Sequence, residues 1–232
     1  MPSTTTLLEV RTDVRSRLDE TNAASGYFTD TELNRWINEA QRDIARRAEV
    51  LQSFNTSVNA VVGTAKYNLP SDVIRVHRIE FVPTGSTQVY PLESRTYDEL
   101  DQYWGVNPTT QRSYPSYYAI WGVPGGTSLQ VQFYPVPSNT GVFNIYYYRL
   151  PGALTADGNT LDIPEGWQDL VALYCEYVAK RKLRDSTWSE AKQLYDESLE
   201  NLVAVSRDYT DSPRSLIYRG SAVPQWLYEF DY

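Results

Sequence analysis

The chain has 232 residues, 41% hydrophobic, 22% charged and 13% aromatic, with 21 basic side chains against 29 acidic ones, a composition of one or two globular domains that excludes a disordered tail. The net charge of −8 argues against a protein whose main task is to grip a phosphate backbone, since that affinity comes from Lys and Arg. A single cysteine, Cys175, and a single histidine, His77, exclude a disulfide framework and Cys- or His-rich metal centres.

The start, Met1-Pro2-Ser3-Thr4, has no basic region followed by an apolar run, and no stretch approaches ~20 apolar residues. A cytosolic or assembly-partner protein with no membrane role is expected. Tyrosine (19) and tryptophan (6) outnumber phenylalanine (6); such amphipathic rings suit surfaces that are half buried and half wet, often interfaces.

In chain order, Thr4 to Thr6 are placed to cap a helix in which Leu7, Val10, Val14 and Leu18 recur at helical spacing, with Arg11, Arg15, Asp13 and Asp19 on the other faces. Thr29-Asp30-Thr31-Glu32 reads as a capping box. It opens a second helix with Leu33, Trp36, Ile37, Ala40, Ile44 and Ala48 inward, and with Arg35, Arg42, Arg46, Glu39 and Asp43 on the solvated side. From about Phe54 the period changes to two. Ser57 to Val61 and Lys66 to Pro70 read as short paired strands around Gly63, and Val73 to Val82 as a longer strand.

Val89 to Leu92 is expected as an edge strand, Thr96 to Trp104 as a short amphipathic helix, and Ser116–Trp121, Ser128–Tyr134 and Val142–Arg149 as three more strands separated by turn clusters. Pro164 suits the first turn of a third long helix, whose stripe is Trp167, Leu170, Val171, Tyr174, Tyr177 and Val178. The cations Lys180 to Arg184 complement its C-terminal dipole. Thr187-Trp188-Ser189-Glu190 reads as another capping box, opening a helix with Trp188, Ala191, Tyr195, Leu199, Leu202 and Val205 inward.

The predicted fold class is therefore α+β. Two N-terminal and two C-terminal helices form a four-helix bundle core (residues 1–52 and 161–208), and an antiparallel β-rich lobe (53–160) is inserted between them. Residues 209–232 break every period, yet carry six aromatics, Tyr209, Tyr218, Trp226, Tyr228, Phe230 and Tyr232. A disordered tail is normally poor in aromatics, so these residues read as an extended arm made to lie on a neighbouring subunit or partner.

No constellation supports an enzyme. Gly122 to Ser128 lacks the Gly-Lys-Ser/Thr ending of a phosphate cradle and reads as a hairpin turn. Asp157 to Asp162 misplaces the glycine of a calcium loop and reads as an Asp-Gly turn. Asp98, Glu99 and Asp101 read as a solvated helix face rather than a glycosidase pair. His77 has no Cys or His partner nearby, and the sequon Asn55-Thr56-Ser57 has no secretion signal beside it. No catalytic residue, cofactor or metal is expected.

The segment from Thr29 to Ile44, with the order Leu33, Trp36, Ile37-Asn38, Ala40 and Ile44, resembles the second helix of tailed-bacteriophage head-to-tail adaptor (connector) proteins. Tyr67 to Val73, Val131 to Pro137, Ile145 to Pro151 and Ile163-Pro164-Glu165 follow in the order such adaptors show. The resemblance spans about residues 5 to 205 and is similar to the larger, tail tubular protein A or head completion type with an inserted β domain. It implies a structural virion protein at the head-tail connection, made in the host cytoplasm. Such a protein forms a ring, usually dodecameric, between the portal and the tail or nozzle, extends the DNA channel and offers the tail its docking surface.

The partners so implied are the portal protein, a tail or nozzle protein, further copies of the chain, and genomic DNA passing without specific binding. The arm residues Tyr209, Tyr218, Trp226, Tyr228, Phe230 and Tyr232 would make portal or intersubunit contacts. Residues 161–208 hold 10 acidic and 6 basic groups. Glu190, Glu197 and Glu200 are accordingly channel-facing candidates, because a carboxylate-rich wall lets DNA slide. The competing reading is a carbohydrate- or receptor-binding tail component using Tyr114, Tyr117, Tyr118 and Trp121 of the β lobe as a stacking surface, with Tyr118 pointing opposite to Tyr117 and Trp121.

Overall fold

The computed structural model describes residues 5–20, 26–104, 112–122 and 129–220, with backbone alone at 101, 103, 104 and 208–220. The fold is mixed α+β, with five helices and a large sheet. It divides into a helical unit, residues 1–50 with 153–232, and a β unit, residues 51–152.

In the helical unit, α1 (Leu7–Arg17) begins at Thr6. The Thr6 hydroxyl accepts from the Glu9 amide while the Glu9 carboxylate accepts from the Thr6 amide, a reciprocal cap that satisfies two otherwise orphaned donors. Helix α2 (Asp30–Ala48) starts at Thr29, whose hydroxyl accepts from the Glu32 amide at 3.3 Å. The expected return bond from Glu32 is not its role: its carboxylate accepts from Lys182 Nζ at 2.8 Å. A tertiary cation thus takes the group that local pattern assigns to the cap.

A 3₁₀ turn (Glu165–Trp167) after Pro164 precedes α4 (Asp169–Leu183), so the third long helix starts later than the proline suggests. Helix α5 runs from Trp188 to Gly220. Residues 209–220 are therefore helical where the periodicity suggests an extended arm, because elongating a nucleated helix adds a hydrogen bond per residue. Only 221–232 of that segment lie outside the described residues.

All four of these helices contribute to one core, with Leu7, Val10 and Val14 from α1, Leu33, Trp36, Ile37, Ala40 and Ile44 from α2, Leu170, Val171 and Cys175 from α4, and Tyr195, Leu199 and Leu202 from α5. The stripe expected on α5 is inward only in its middle, since Trp188 and Val205 at its two ends are 37% and 41% exposed. Arg11 and Arg15, expected on the open faces of α1, are buried instead. Arg15 donates to the Phe28 carbonyl at 2.9 Å, to Asp30 at 2.8 Å and to Glu20 at 3.3 Å, and Arg11 reaches Asp157 at 3.0 Å and Asn34 at 3.2 Å. A guanidinium can be buried because its five donors are distributed over several acceptors.

The β unit holds β1 (Gln52–Ala60), β2 (Lys66–Asn68), β3 (Val73–Pro83), β4 (Tyr90–Ser94), α3 (Tyr97–Trp104), β5 (Arg112–Ser113), β6 (Tyr117–Trp121), β7 (Gln130–Tyr134), β8 (Val136–Pro137) and β9 (Gly141–Arg149). Seven strands form one sheet in the order β1-β9-β3-β4-β6-β7-β2, and β5 pairs with β8. Three expectations change here. Strands β1 and β2 do not pair around Gly63 but occupy opposite edges of the sheet, on β9 and β7. Strand β4 is interior, between β3 and β6, and its Pro91 sits opposite Glu80. The sheet is also not wholly antiparallel, since β4 and β6 run parallel, as do β5 and β8.

Ile79, Phe81, Val131, Phe133, Phe143 and Ile145 fill the core on one face of this sheet, with Phe133 and Phe143 stacked at 3.7 Å between centroids. Helix α3 covers a smaller cluster through Leu100, against Ala119 and Tyr134.

Candidate functional site

At about 100° per residue, Glu190, Glu197 and Glu200 fall within an arc of about 80° on α5, opposite the buried Ala191, Tyr195, Leu199 and Leu202. All three carboxylates are exposed. Glu197 and Glu200 line a shallow hollow of about 350 Å³ with Trp188, Lys192 and Asp196, and Glu197 accepts from Gln193 Nε2 at 2.7 Å. Glu190 stands outside that hollow. The acidic face thus exists as a face, and its partners lie on α5 itself.

That face is held rigidly by a network that sequence pattern does not announce. Tyr195 Oη donates to Asp43 Oδ2 of α2 at 2.6 Å, and Arg47 Nη1 lies 3.0 Å from Asp196 and 3.7 Å from Asp43. Bonds from Lys192 and then from Arg47 hold the Asp196 carboxyl below its ordinary range. Burial, and then the bond to Asp43, push the Tyr195 phenol far up. The only local signal was the inward position of Tyr195; its acceptor is 152 residues away in the chain.

The basic run at the end of α4 is divided among structural tasks. Lys180 pairs with Glu176 at 2.7 Å. Lys182, besides Glu32, lies 5.1 Å from the Tyr27 ring centroid, 5.2 Å from Phe28 and 6.0 Å from Trp36, an exposed cation beside three aromatic rings. Arg184 takes the left-handed conformation at the C-cap. The arm candidates separate: Tyr209 and Tyr218 lie on the backbone of α5, whereas Trp226, Tyr228, Phe230 and Tyr232 lie outside the described residues.

The β-unit aromatics do not make one platform. Tyr118 is buried, Tyr114 is stacked on Tyr90 at 5.2 Å, and Tyr117 packs partly into the cluster under α3 with Arg95 over its ring at 5.8 Å. Trp121, 66% exposed and edge-on to Tyr97, and Tyr114, 40% exposed beside Tyr90, are the two of these rings open to solvent.

The remaining residues weighed for chemistry have structural places. His77 lies edge-on to Tyr148 at 6.1 Å. Cys175 is fully buried, and burial raises its thiol well above the ordinary range, which keeps it an unreactive neutral thiol. Glu99 accepts from the Thr96 amide at 3.0 Å and the Thr96 hydroxyl from the Glu99 amide at 3.3 Å, a helix cap for α3. Asp157 binds Arg11, and Asn159 Oδ1 accepts from the Thr155 and Ala156 amides, closing a turn. Asn55 Oδ1 accepts from the Ser57 amide at 2.7 Å at the β1 bulge. Among the described residues no group of three His, Cys, Asp or Glu side chains is placed to hold a metal ion, and no helix is long and apolar enough to cross a membrane.

No protein of curated function matches the chain. Residues 5–217 match the family described as SU10 adaptor protein, which spans all four long helices and every strand of the sheet. The chain therefore belongs to the SU10 adaptor protein family, a family of structural phage proteins of the head-tail junction.

Proposed function

We propose that this adaptor assembles as a dodecameric ring between the portal and the tail or nozzle, extends the DNA channel and supplies the surface on which the tail docks. In this reading the four long helices act as a bundle that forms the ring wall, and the β unit is the larger adaptor's inserted domain. Tyr209, Tyr218, Trp226, Tyr228, Phe230 and Tyr232 contact the portal or the next subunit, and Glu190, Glu197 and Glu200 face the channel. The observation that carries the reading is the family match over 5–217. The rigid, outward acidic face of α5 adds physical support, because fixed carboxylates repel passing phosphates and leave DNA no counterion-releasing contact to grip.

The test is to mix the full chain with portal rings and measure the complex by native mass. A stable twelvefold complex is the expected result, with binding weakened when 221–232 are deleted and abolished when 209–232 are deleted. A chain that ignores portal rings but binds glycans would replace this reading with the carbohydrate-binding one, for which the exposed Trp121 and Tyr114 are the remaining support.

A further inference from the structure

Helices α2 and α4 each pack against both α1 and α5, so α2 and α4 lie across one diagonal of the helical unit and α1 and α5 across the other. The outward face of α2, away from its buried stripe, is unpartnered. It carries Arg42 and Arg46, both exposed and, among the described residues, without an ion pair. On the opposed side, where α1 meets the start of α4, runs a groove of about 430 Å³. Its lining includes Glu9, Asp13, Glu165 and Asp169; Arg17 pairs with Asp13 at 2.9 Å and Thr6 donates to Glu9, so the carboxylates outnumber the one cation beside them. Its floor includes the side chains of Val10 and Ala172, both buried in the core. The groove thus combines an apolar floor for the methylene stem of an arginine with carboxylates for its head.

We propose that the Arg42–Arg46 face of α2 docks into the Glu9/Asp13/Glu165/Asp169 groove of a second copy of this chain. The occupant is chosen by charge complementarity. The two patches carry opposite charge, differ in shape and stand on opposed sides of one rigid unit. A contact between them is therefore heterologous, and repetition of a heterologous contact closes into a ring when the rotation allows. The placement also suits the channel assignment. With α5 toward the ring axis, α1 points outward, and the α2 and α4 sides become the flanks that meet neighbours. This inference rests on the ring reading above and names the surfaces that would build it. Opposed charges at such an interface set register and association rate, and like charges placed across it oppose assembly.

The test uses the full chain with portal rings at low and at physiological salt. One variant, Arg42→Glu/Arg46→Glu, makes both patches acidic; the other, Asp13→Lys/Glu165→Lys/Asp169→Lys, makes both basic, three lysines outweighing the remaining Glu9. Each alone is expected to raise the concentration for half-assembly by roughly tenfold or more, with its helical circular dichroism unchanged. An equimolar mixture is expected to restore assembly, because each interface in an alternating ring again joins opposite charges.

Should either variant fold poorly, subunits carrying Arg46→Cys and subunits carrying Asp13→Cys are joined with a short bis-maleimide, Cys175 being buried. Cross-links are expected in the mixture and in neither component alone. Wild-type rings that form while both charge-reversed variants assemble equally well, or the absence of the mixed cross-link, would overturn this interface and leave the ring reading standing. A wild-type chain that makes no ring on portals would overturn both.

Discussion

Tyr195 of α5 donates its phenolic hydrogen to Asp43 of α2 at 2.6 Å, and that bond joins the Arg47–Asp196 pair and the buried stripe of α5 in fixing which way the opposite, acidic face points. The ring itself is buried and meets Tyr174 edge-on at 5.4 Å. Tyr195→Phe keeps this packing and deletes a charge-assisted hydrogen bond, so it is expected to cost about 1–2 kcal/mol. Tyr195→Ala also opens a cavity and is expected to cost about 3–5 kcal/mol. Urea unfolding followed by helical circular dichroism checks both, and equal losses would deny the hydroxyl its role.

Arg15 presents the case of a buried cation shared among acceptors. Its side chain is 7% exposed, whereas Glu20 and Asp30 are 16% and 50% exposed. Arg15→Ala is expected to cost about 2–4 kcal/mol, below the cost of breaking a fully buried pair because Asp30 regains water. Arg15→Lys keeps the charge but has no fork to span the Phe28 carbonyl and two carboxylates, and is expected to recover less than half of that loss. Thermal unfolding of the two variants side by side distinguishes charge from geometry.

In the β unit, Gly141 opens β9 opposite Pro83 and Ala60. A Cβ there would stand 2.4 Å from the Val82 carbonyl oxygen and 2.6 Å from the Phe81 ring. Gly141→Ala must therefore displace backbone or a core ring, and about 1–3 kcal/mol of destabilisation is expected. Gly158, with open space at its Cβ position, is the control, and Gly158→Ala is expected to be much milder by the same denaturation measurement.

Acid sensitivity follows from the caps. Glu9 is held below its ordinary 4.5, first by the Thr6 amide and then by the Thr6 hydroxyl, and Asp185 below its ordinary 3.8 by the amide and hydroxyl of Thr187. A carboxyl with a depressed folded value adds stability above its unfolded value, and that contribution is lost as pH falls through the folded one. Glu9→Gln is thus expected to be less stable than wild type at neutral pH, with the difference shrinking below about 4.5. A difference independent of pH, read from thermal midpoints between pH 2 and 7, would contradict the assignment.

Charge reversal on the acidic face separates function from folding. Glu190, Glu197 and Glu200 are exposed, so replacing all three by Lys is expected to change stability by no more than about 1 kcal/mol. If the face lines the channel, the variant assembles but releases DNA more slowly, with the retardation relieved by salt. Unchanged ejection kinetics would remove these residues from the channel wall.

The amino-acid sequence alone determined those features whose physics is local. The 3.6-residue period identified Leu33 to Ala48 as an inward stripe, period two located β3, β6, β7 and β9, and the threonine at position 29 marked a helix start, because side-chain direction and end-capping depend on residues within one turn. The switch from helical to strand period and back also located the strands between the second and third long helices.

Tertiary structure decided everything that depends on a distant partner. Glu32 forsakes its own helix start for Lys182 because a cation 150 residues away is a nearer charge. Arg11 and Arg15 are buried because acceptors converge on them from beyond α1. Strands β1 and β2, neighbours in the chain, go to opposite edges because each finds its ladder on a later strand. The acidic face of α5 was legible as a count of carboxylates. Its direction was settled by Tyr195, Asp43 and Arg47 meeting across the core, since a helix wheel fixes angles within a helix and only packing fixes the helix within the protein.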